Sequence, residues 1–389
     1  MDITNDEYAD IRPYHDYEVR EVLDRLIEDD EFISAIINLR VKKQTKLMKA
    51  LAYPFVRQRM RRRLRGITDV YGVQWIVKEF LDRMLKNSSS SFTVSGLEHL
   101  DKDNNYLFIS NHRDIVLDPA LVNYALITCG YPTVRIAIGD NLHSKNFISD
   151  LMRLNKSFIV KRSIKRPRER VTALRHLSSY IQHSLLIDQN NVWLAQGEGR
   201  AKDGNDRTQP AIIKMLSMSK PADIEFADFI KSLVIVPVAI SYEYDPCDAD
   251  KARELYIRAS EGKYQKLPQE DFESIAKGIK GNKGDIHISF GTPLTDHIDT
   301  PEQVAHLIDQ QIISNYRVHD ANRIAFELQS QVAPSNDISP NKRSVFDQRL
   351  SHVADHHKPY LIDMYANVLG RKKDLKVNID DIAVSASNN

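Results

Sequence analysis

A chain of 389 residues, 42% apolar and 28% charged, holds enough apolar material for one large domain with additions or for two domains, and excludes wholesale disorder. Its 54 basic and 53 acidic residues nearly cancel, so overall charge names no partner. Two cysteines, Cys129 and Cys247, argue against a disulfide framework and lead us to expect a reducing compartment.

In chain order, the opening "MDITNDEYADIRPYHDYEVRE" is acidic and polar, unlike a signal or transit peptide. Residues 17 to about 90 read as helical: Val19, Val22, Leu23, Leu26 and Ile27 follow the spacing of a helix with one buried face. From Arg40 to Arg65 there are eleven Lys or Arg residues and no acid, interleaved with apolar and aromatic residues such as Leu47, Tyr53, Phe55, Met60 and Leu64. A basic amphipathic segment of this kind suits an anionic membrane surface or nucleic acid; a solvated basic face on an ordinary helix hairpin is the plain alternative. Pro54 is expected to kink this segment or to separate two helices. "KNSSSSF" at 86–92 reads as a linker.

After the linker, short apolar runs alternate with helical stretches. The expected strands are Tyr106–Ile109, Val134–Ile138, Phe158–Val160, Val192–Ala195, Leu233–Ile240 and Ile286–Phe290, and the expected helices include Asp118–Thr128, Arg168–Leu186 and Ala211–Ser217. The pattern is helical again from Pro301, is broken by "VAPSNDISPNKRS", resumes over about 344–370 and ends in a frayed "ASNN". The fold class that follows is α/β, a mostly parallel or mixed sheet flanked by helices, with N-terminal and C-terminal helical additions. We divide the chain into a helical region 1–90 with the basic segment, a central domain 91–300 and a helical extension 301–389. No stretch reaches the roughly 18 uninterrupted apolar residues of a membrane span.

Four stretches carry possible chemistry. In "ISNHRDIVLDPAL" a buried strand runs into Asn111 and His112, with Asp114 and Asp118 following. A histidine oriented by a carboxylate suits removal of a proton from a hydroxyl, so that the substrate itself is the nucleophile; a polar turn is the bland alternative. "NKSFIVKRS" ends a strand in Lys161 and Arg162, where a guanidinium is placed to fork onto a phosphate. "NVWLAQGEGRAKDGND" leads a strand into a loop with Gly197, Gly199 and Gly204 around Glu198 and Arg200, suited to an anion but matching no nucleotide fingerprint. "SLVIVPVAIS" places Pro237 in a strand, which suggests an edge, bulge or bend beside a site, or plain core packing.

Taken in order, these stretches resemble the blocks of the glycerophosphate acyltransferase superfamily, the lysophosphatidate and glycerol-3-phosphate acyltransferases. "NHRDIVLDPAL" resembles its Asn-His block with a following acid, "SFIVKRS" its strand ending in arginine, "GEGRAKDG" its Glu-Gly-x-Arg loop, and "VIVPVAI" its apolar-Pro-apolar block. The likeness covers residues 91 to about 295. The family's spacing of four residues between His and Asp falls on Leu117, so one inserted residue makes Asp118 the expected partner of His112, with Asp114 in reserve. Only Gly199 separates Glu198 from Arg200, so Glu198 is expected to fill the glutamate role from a shifted position.

The resemblance implies that His112, held by Asp118, deprotonates a glycerol-backbone hydroxyl, which attacks the thioester of an acyl-CoA or acyl carrier protein. It implies that Arg162, Arg200 and Gly199 bind the acceptor phosphate, together with Glu198, which helps position the glycerol oxygens. It further implies no metal or other cofactor, a phosphorylated glycerol or lysolipid acceptor, an anionic membrane surface as partner, no nucleic acid, and a cytoplasmic, peripheral place on the inner face of the cytoplasmic membrane. The rival readings are an acyltransferase for another lipid acceptor and a non-catalytic membrane- or nucleic-acid-binding module. "SHVADHHKP", with His352 and His356 at helical spacing beside Asp355 and His357, lacks the glutamate of an HExxH zinc site and is expected to be a solvated helix face. Trp75 and Trp193 are expected to pack among apolar neighbours.

Overall fold

The computed structural model describes residues 6–40, 46–142, 145–267, 269–295 and 298–375. Part of the basic segment, 41–45, and the terminal "ASNN" lie outside the described residues. In chain order the first elements are α1 (Asp16–Glu28), α2 (Asp30–Arg40), α3 (Lys46–Leu64), α4 (Val70–Ser88), β1 (Ser91–Ser95), β2 (Leu107–Ser110), α5 (Leu117–Thr128) and β3 (Val134–Gly139). There follow α6 (Asn146–Leu154), β4 (Ser157–Val160), α7 (Pro167–Leu186), β5 (Asn191–Ala195), α8 (Pro210–Leu216), α9 (Phe226–Ser232) and β6 (Ile235–Tyr242). The last are α10 (Asp248–Glu261), α11 (Glu270–Lys280), β7 (Asp285–Phe290), α12 (Pro301–Asn315), α13 (Asp320–Ser330), α14 (Pro340–Ser351) and α15 (Lys358–Asp374). The residues sort into two units: one takes the chain up to Phe80 together with Val134–Tyr180, the other Leu81–Thr133 together with Ile181 onward.

In the first unit the apolar stripe read on α1 is a real core face. Val19, Val22, Leu23, Leu26 and Ile27 are buried with Phe32, Ile33 and Ile37 of α2, Leu64 of α3 and Leu154 of α6. Tyr53, Val56 and Met60 of α3 pack against the same cluster, so the inward stripe of the basic helix serves this core. Pro54 lies inside α3, not between two helices. The side chains left outside include Phe55, 70% exposed, Tyr71, 64%, and Trp75, 45%, so Trp75 is not the packed residue its apolar neighbours suggested. Here β3 and β4 pair in parallel, Ile136 opposite Ser157 through Gly139 opposite Val160.

The second unit contains the strands β1, β7, β6, β2 and β5 in that spatial order. All pairings among them are parallel except β6–β7, so the sheet is mixed. The polar run read as a linker is in part β1: Ser91 to Ser95 lie in register with Asp285 to Ser289. Its serines and threonine hydrogen-bond across to β7 (Ser91 to Asp285, Thr93 and Ser95 to His287), as an edge strand tolerates. Pro237 stands in an interior strand, opposite Ile109 of β2, not at an edge. A strand residue's N–H and C=O point the same way, and the Pro237 carbonyl accepts from Gly291 just past the end of β7. The missing donor therefore falls where β7 pairing stops, and the β2 ladder loses nothing.

The C-terminal helices bury Phe346, Leu361, Met364 and Tyr365 against α10 and α13. A polar anchor joins them to the turn after β6. The Tyr365 hydroxyl donates to Asp248 Oδ2 at 2.9 Å and accepts the Asp245 N–H at 2.8 Å, while Arg349 Nε reaches the same Asp248 oxygen at 2.7 Å.

His287, with Thr93 and Ser95 hydroxyls on its two ring nitrogens, is held down at about 4 by burial and then by the Arg317 charge. The unfolded chain takes this proton near pH 6.5 and the folded chain does not, so stability is full above that pH and is lost as pH falls towards 4. Thermal unfolding across pH 7 to 5 should show this loss in the wild type and a flatter dependence in His287→Gln.

Candidate active site

Parallel strands leave their working residues just past their C-terminal ends, and β2 delivers Asn111 and His112 there. The Asn111 amide fixes the turn by a reciprocal pair: Nδ2 donates to the Ile240 carbonyl at 2.9 Å and Oδ1 accepts the Ile240 N–H at 2.8 Å. His112 follows, its ring edge-on to Trp193 with centroids 5.7 Å apart. Trp193 is buried and donates from Nε1 to Ser110 Oγ at 3.0 Å, a packing role that also braces the histidine.

His112 Nδ1 lies 2.8 Å from Asp118 Oδ2. The same oxygen accepts the backbone N–H of Arg113 at 2.6 Å and of Asp114 at 2.8 Å, and Oδ1 accepts the Tyr242 hydroxyl at 2.7 Å. A carboxylate only accepts hydrogen bonds, so every partner of Asp118 must donate to it. The histidine bond therefore has Nδ1–H as donor, which leaves the Nε2 lone pair to receive a proton. Asp114 does not reach the imidazole. Its Oδ1 accepts the N–H groups of Val116 and Leu117 at 3.0 and 2.8 Å, an Asx turn leading into α5. Its Oδ2 sits against Gly278 so closely that a Cβ there would come within 2.2 Å. Burial, and then the Asp118 charge, push the Asp114 carboxyl above the ordinary range.

The glycine loop after β5 is tied to the histidine. The Ala201 N–H donates to the His112 carbonyl at 2.8 Å, and buried Arg113 bonds from Nε to Asp206 Oδ2 at 3.2 Å. Lys251 ties down Arg113 from α10, donating to its carbonyl at 2.7 Å while paired with Asp245. His112, Glu198, Gly199, Arg200, Lys202 and Arg258 line one cleft of about 560 Å³. Glu198 and Gly199 are exposed, Gly199 with φ +78°. Arg200 is mostly covered, 3.9 Å from Asp271. Lys202 and Arg258 share Glu254 Oε1 at 3.0 and 2.6 Å, and burial lowers the Lys202 ammonium from its usual value.

Arg162 belongs to the first unit. It is exposed at the end of β4, and Asp140 accepts the N–H groups of Arg162 and Ser163, both at 3.1 Å. Neither Tyr242 nor the Arg113–Asp206–Lys251 set stands out in the residue pattern. The one signal for Tyr242 is a tyrosine ending an apolar strand two residues beyond the apolar-Pro-apolar block.

Residues 91–241 match the family model described as Acyltransferase, and this region is an acyltransferase domain. By that match the chain holds an acyltransferase domain, over 151 of its 389 residues. His112, Asp118, Arg162, Glu198 and Arg200 lie inside the matched stretch, and Tyr242 lies one residue beyond it. A crystal structure of the 1-acyl-sn-glycerophosphate (LPA) acyltransferase PlsC from Thermotoga maritima is similar at 14% identity and a TM-score of 0.38, covering 62% of this chain and 78% of that one. No curated protein matches the chain.

The loop carrying Arg200 is closed from below by α15. Gly204 has φ +77°, and a Cβ on it would lie 2.4 Å from the Met364 carbonyl oxygen. Gly204→Ala should therefore lose the left-handed backbone's cost of about 1–2 kcal/mol and more from the clash, read as unfolding free energy in denaturant. Gly262→Ala, with φ +75° and open space around it, should lose the backbone cost alone.

Proposed function

We propose that the chain transfers a fatty acyl group from acyl-CoA or acyl carrier protein to a hydroxyl of 1-acyl-glycerol-3-phosphate or glycerol-3-phosphate, as in phospholipid biosynthesis. The observation that carries this reading is His112, with Nδ1 tied to a buried carboxylate, lining the same cleft as Arg200 and Glu198. His112 Nε2 takes the proton of the acceptor hydroxyl as its oxygen attacks the thioester carbonyl. The tetrahedral intermediate collapses with cleavage of the C–S bond, the thiolate leaves, and His112 returns the proton to it. Arg200 engages the acceptor phosphate and Glu198 the glycerol oxygens, with the Gly199 backbone open to the anion. Arg162 is assigned a phosphate-binding role on the resemblance of its block alone. The chemistry so proposed calls on no metal or cofactor besides the thioester.

The test is acyl transfer from palmitoyl-CoA to glycerol-3-phosphate and to lysophosphatidate. His112→Ala and Asp118→Ala should each lower kcat by about 10²–10⁴-fold. Asp114→Asn, which keeps an oxygen for the Val116 and Leu117 N–H groups, should stay within about tenfold of the wild type. A fully active His112→Ala contradicts the proposal, and a dead Asp114→Asn beside an active Asp118→Ala contradicts the choice of partner.

We further infer that the first unit docks on anionic membrane surfaces, at a peripheral, cytoplasmic-face location. Among the described residues no helix is long and apolar enough to cross a membrane. The support is local: Phe55, Tyr71 and Trp75 are exposed on α3 and α4, alongside exposed Arg59, Arg62 and Arg65. Three further arginines are offset by acids, Arg57 with Asp30, Arg61 with Glu28 and Arg63 with Glu79. Sedimentation with phosphatidylglycerol vesicles should show binding that weakens from 50 mM to about 500 mM salt as charges are screened, and that falls further in Tyr71→Ser/Trp75→Ser. Salt-independent binding, or none, contradicts it.

A further inference from the structure

Asp118 is fully buried, and its two oxygens are held very differently. Oδ2 takes three donors: the His112 ring and the N–H groups of Arg113 and Asp114. Oδ1 takes a single donor, the hydroxyl of Tyr242 at 2.7 Å. Tyr242 ends β6 and is itself buried, its backbone in register with Ile286 of β7. Two residues earlier on the same strand, Ile240 is clamped by Asn111, the neighbour of His112. β6 therefore holds the histidine turn at two points, at its backbone through Ile240 and at its carboxylate through Tyr242.

We propose that Tyr242 is a positioning residue of the acyl transfer: its hydroxyl fixes the orientation of the Asp118 carboxylate, and through it the His112 ring. This rests on the reading of His112 as the base. Without that hydroxyl, Oδ1 is a buried acceptor that loses its donor, and the carboxylate is free to turn about its Cβ–Cγ bond towards the three donors on Oδ2. The ring bond to Nδ1 then loses its direction while Asn111 still holds the backbone. Burial, followed by the charges of Asp118 and Asp114, pushes the Tyr242 phenol well above its ordinary range, so it keeps the proton it donates. The strand that carries the apolar-Pro-apolar block, explicable from sequence as core packing, thus ends in a residue that acts on the reacting group at one remove.

Tyr242→Phe keeps the ring and removes only the hydroxyl. In the palmitoyl-CoA assay it should lower kcat by about 10–100-fold, as a small misplacement of a catalytic group does, with acceptor KM within about twofold of the wild type. In a His112→Gln background the same change should cost less than about twofold, because the group it positions is gone. Site-specific 3-fluorotyrosine at 242 restores the hydroxyl at the same size and should recover the rate to within about threefold. The inference is overturned if Tyr242→Phe turns over like the wild type, if its loss is undiminished in the His112→Gln background, or if the fluorotyrosine protein is as slow as the phenylalanine variant. A Tyr242→Phe protein too unstable to assay leaves the fluorotyrosine arm to decide: a slow fluorotyrosine enzyme then overturns the inference, and a fast one supports it. His112→Gln turning over like the wild type fails the reading of the base itself, and is told apart by that variant alone.

Discussion

The site depends on one buried carboxylate. Withdrawing an ionised aspartate from water costs several kcal/mol unless donors replace the water it loses. Asp118 has four such donors, from a ring, two backbone amides and a phenol. Three of them come from the turn between β2 and α5, so the carboxylate determines the shape of that turn as much as the turn determines the carboxylate. The same interaction selects the ring nitrogen that faces outward. Local structure, packing and reactivity meet in this group.

Most of the frame was legible from residue order. The apolar runs that became β2 to β7 are unambiguous because each is short, β-branched or aromatic, and closed by glycine or a polar turn. β1 was not legible, since Ser91, Thr93 and Ser95 satisfy an edge strand through hydroxyl contacts with β7 rather than by apolar burial. Pro237 misled for a related reason: its meaning depends on where the neighbouring strand stops, which pattern alone does not contain. The basic helix misled in degree. Its charge is visible in the sequence, but its inward stripe is engaged by the α1–α2 core, and the exposed aromatics stand elsewhere on α3 and on α4.

In the site itself, the residue types His, Asp, Glu and Arg were readable from the blocks, and the partner of His112 was narrowed to two aspartates. Geometry separates them by what else each must hold: Asp114 is engaged with the Asx turn and Gly278, and Asp118 turns back from the first turn of α5. Tyr242 lies 124 positions beyond Asp118, a distance no local pattern bridges. The C-terminal extension was equally opaque. It supports the glycine loop after β5 with α15: Asn367 donates to the Asp203 carbonyl at 2.7 Å, Arg371 bonds to the Asp206 carbonyl, and Met364 abuts Gly204. The acyltransferase match ends at 241, so these helices brace the loop from outside the matched domain.

The central claim is that Asp118 holds a proton on Nδ1 of His112 and leaves Nε2 as the free base. Long-range ¹H–¹⁵N correlation spectra of the histidine rings report this directly, with the His112 signals among the 13 histidines identified by their loss in His112→Gln. The account predicts that neutral His112 is the Nδ1–H tautomer and that this preference disappears in Asp118→Ala. A neutral His112 protonated on Nε2, or a ring indifferent to Asp118, would contradict it.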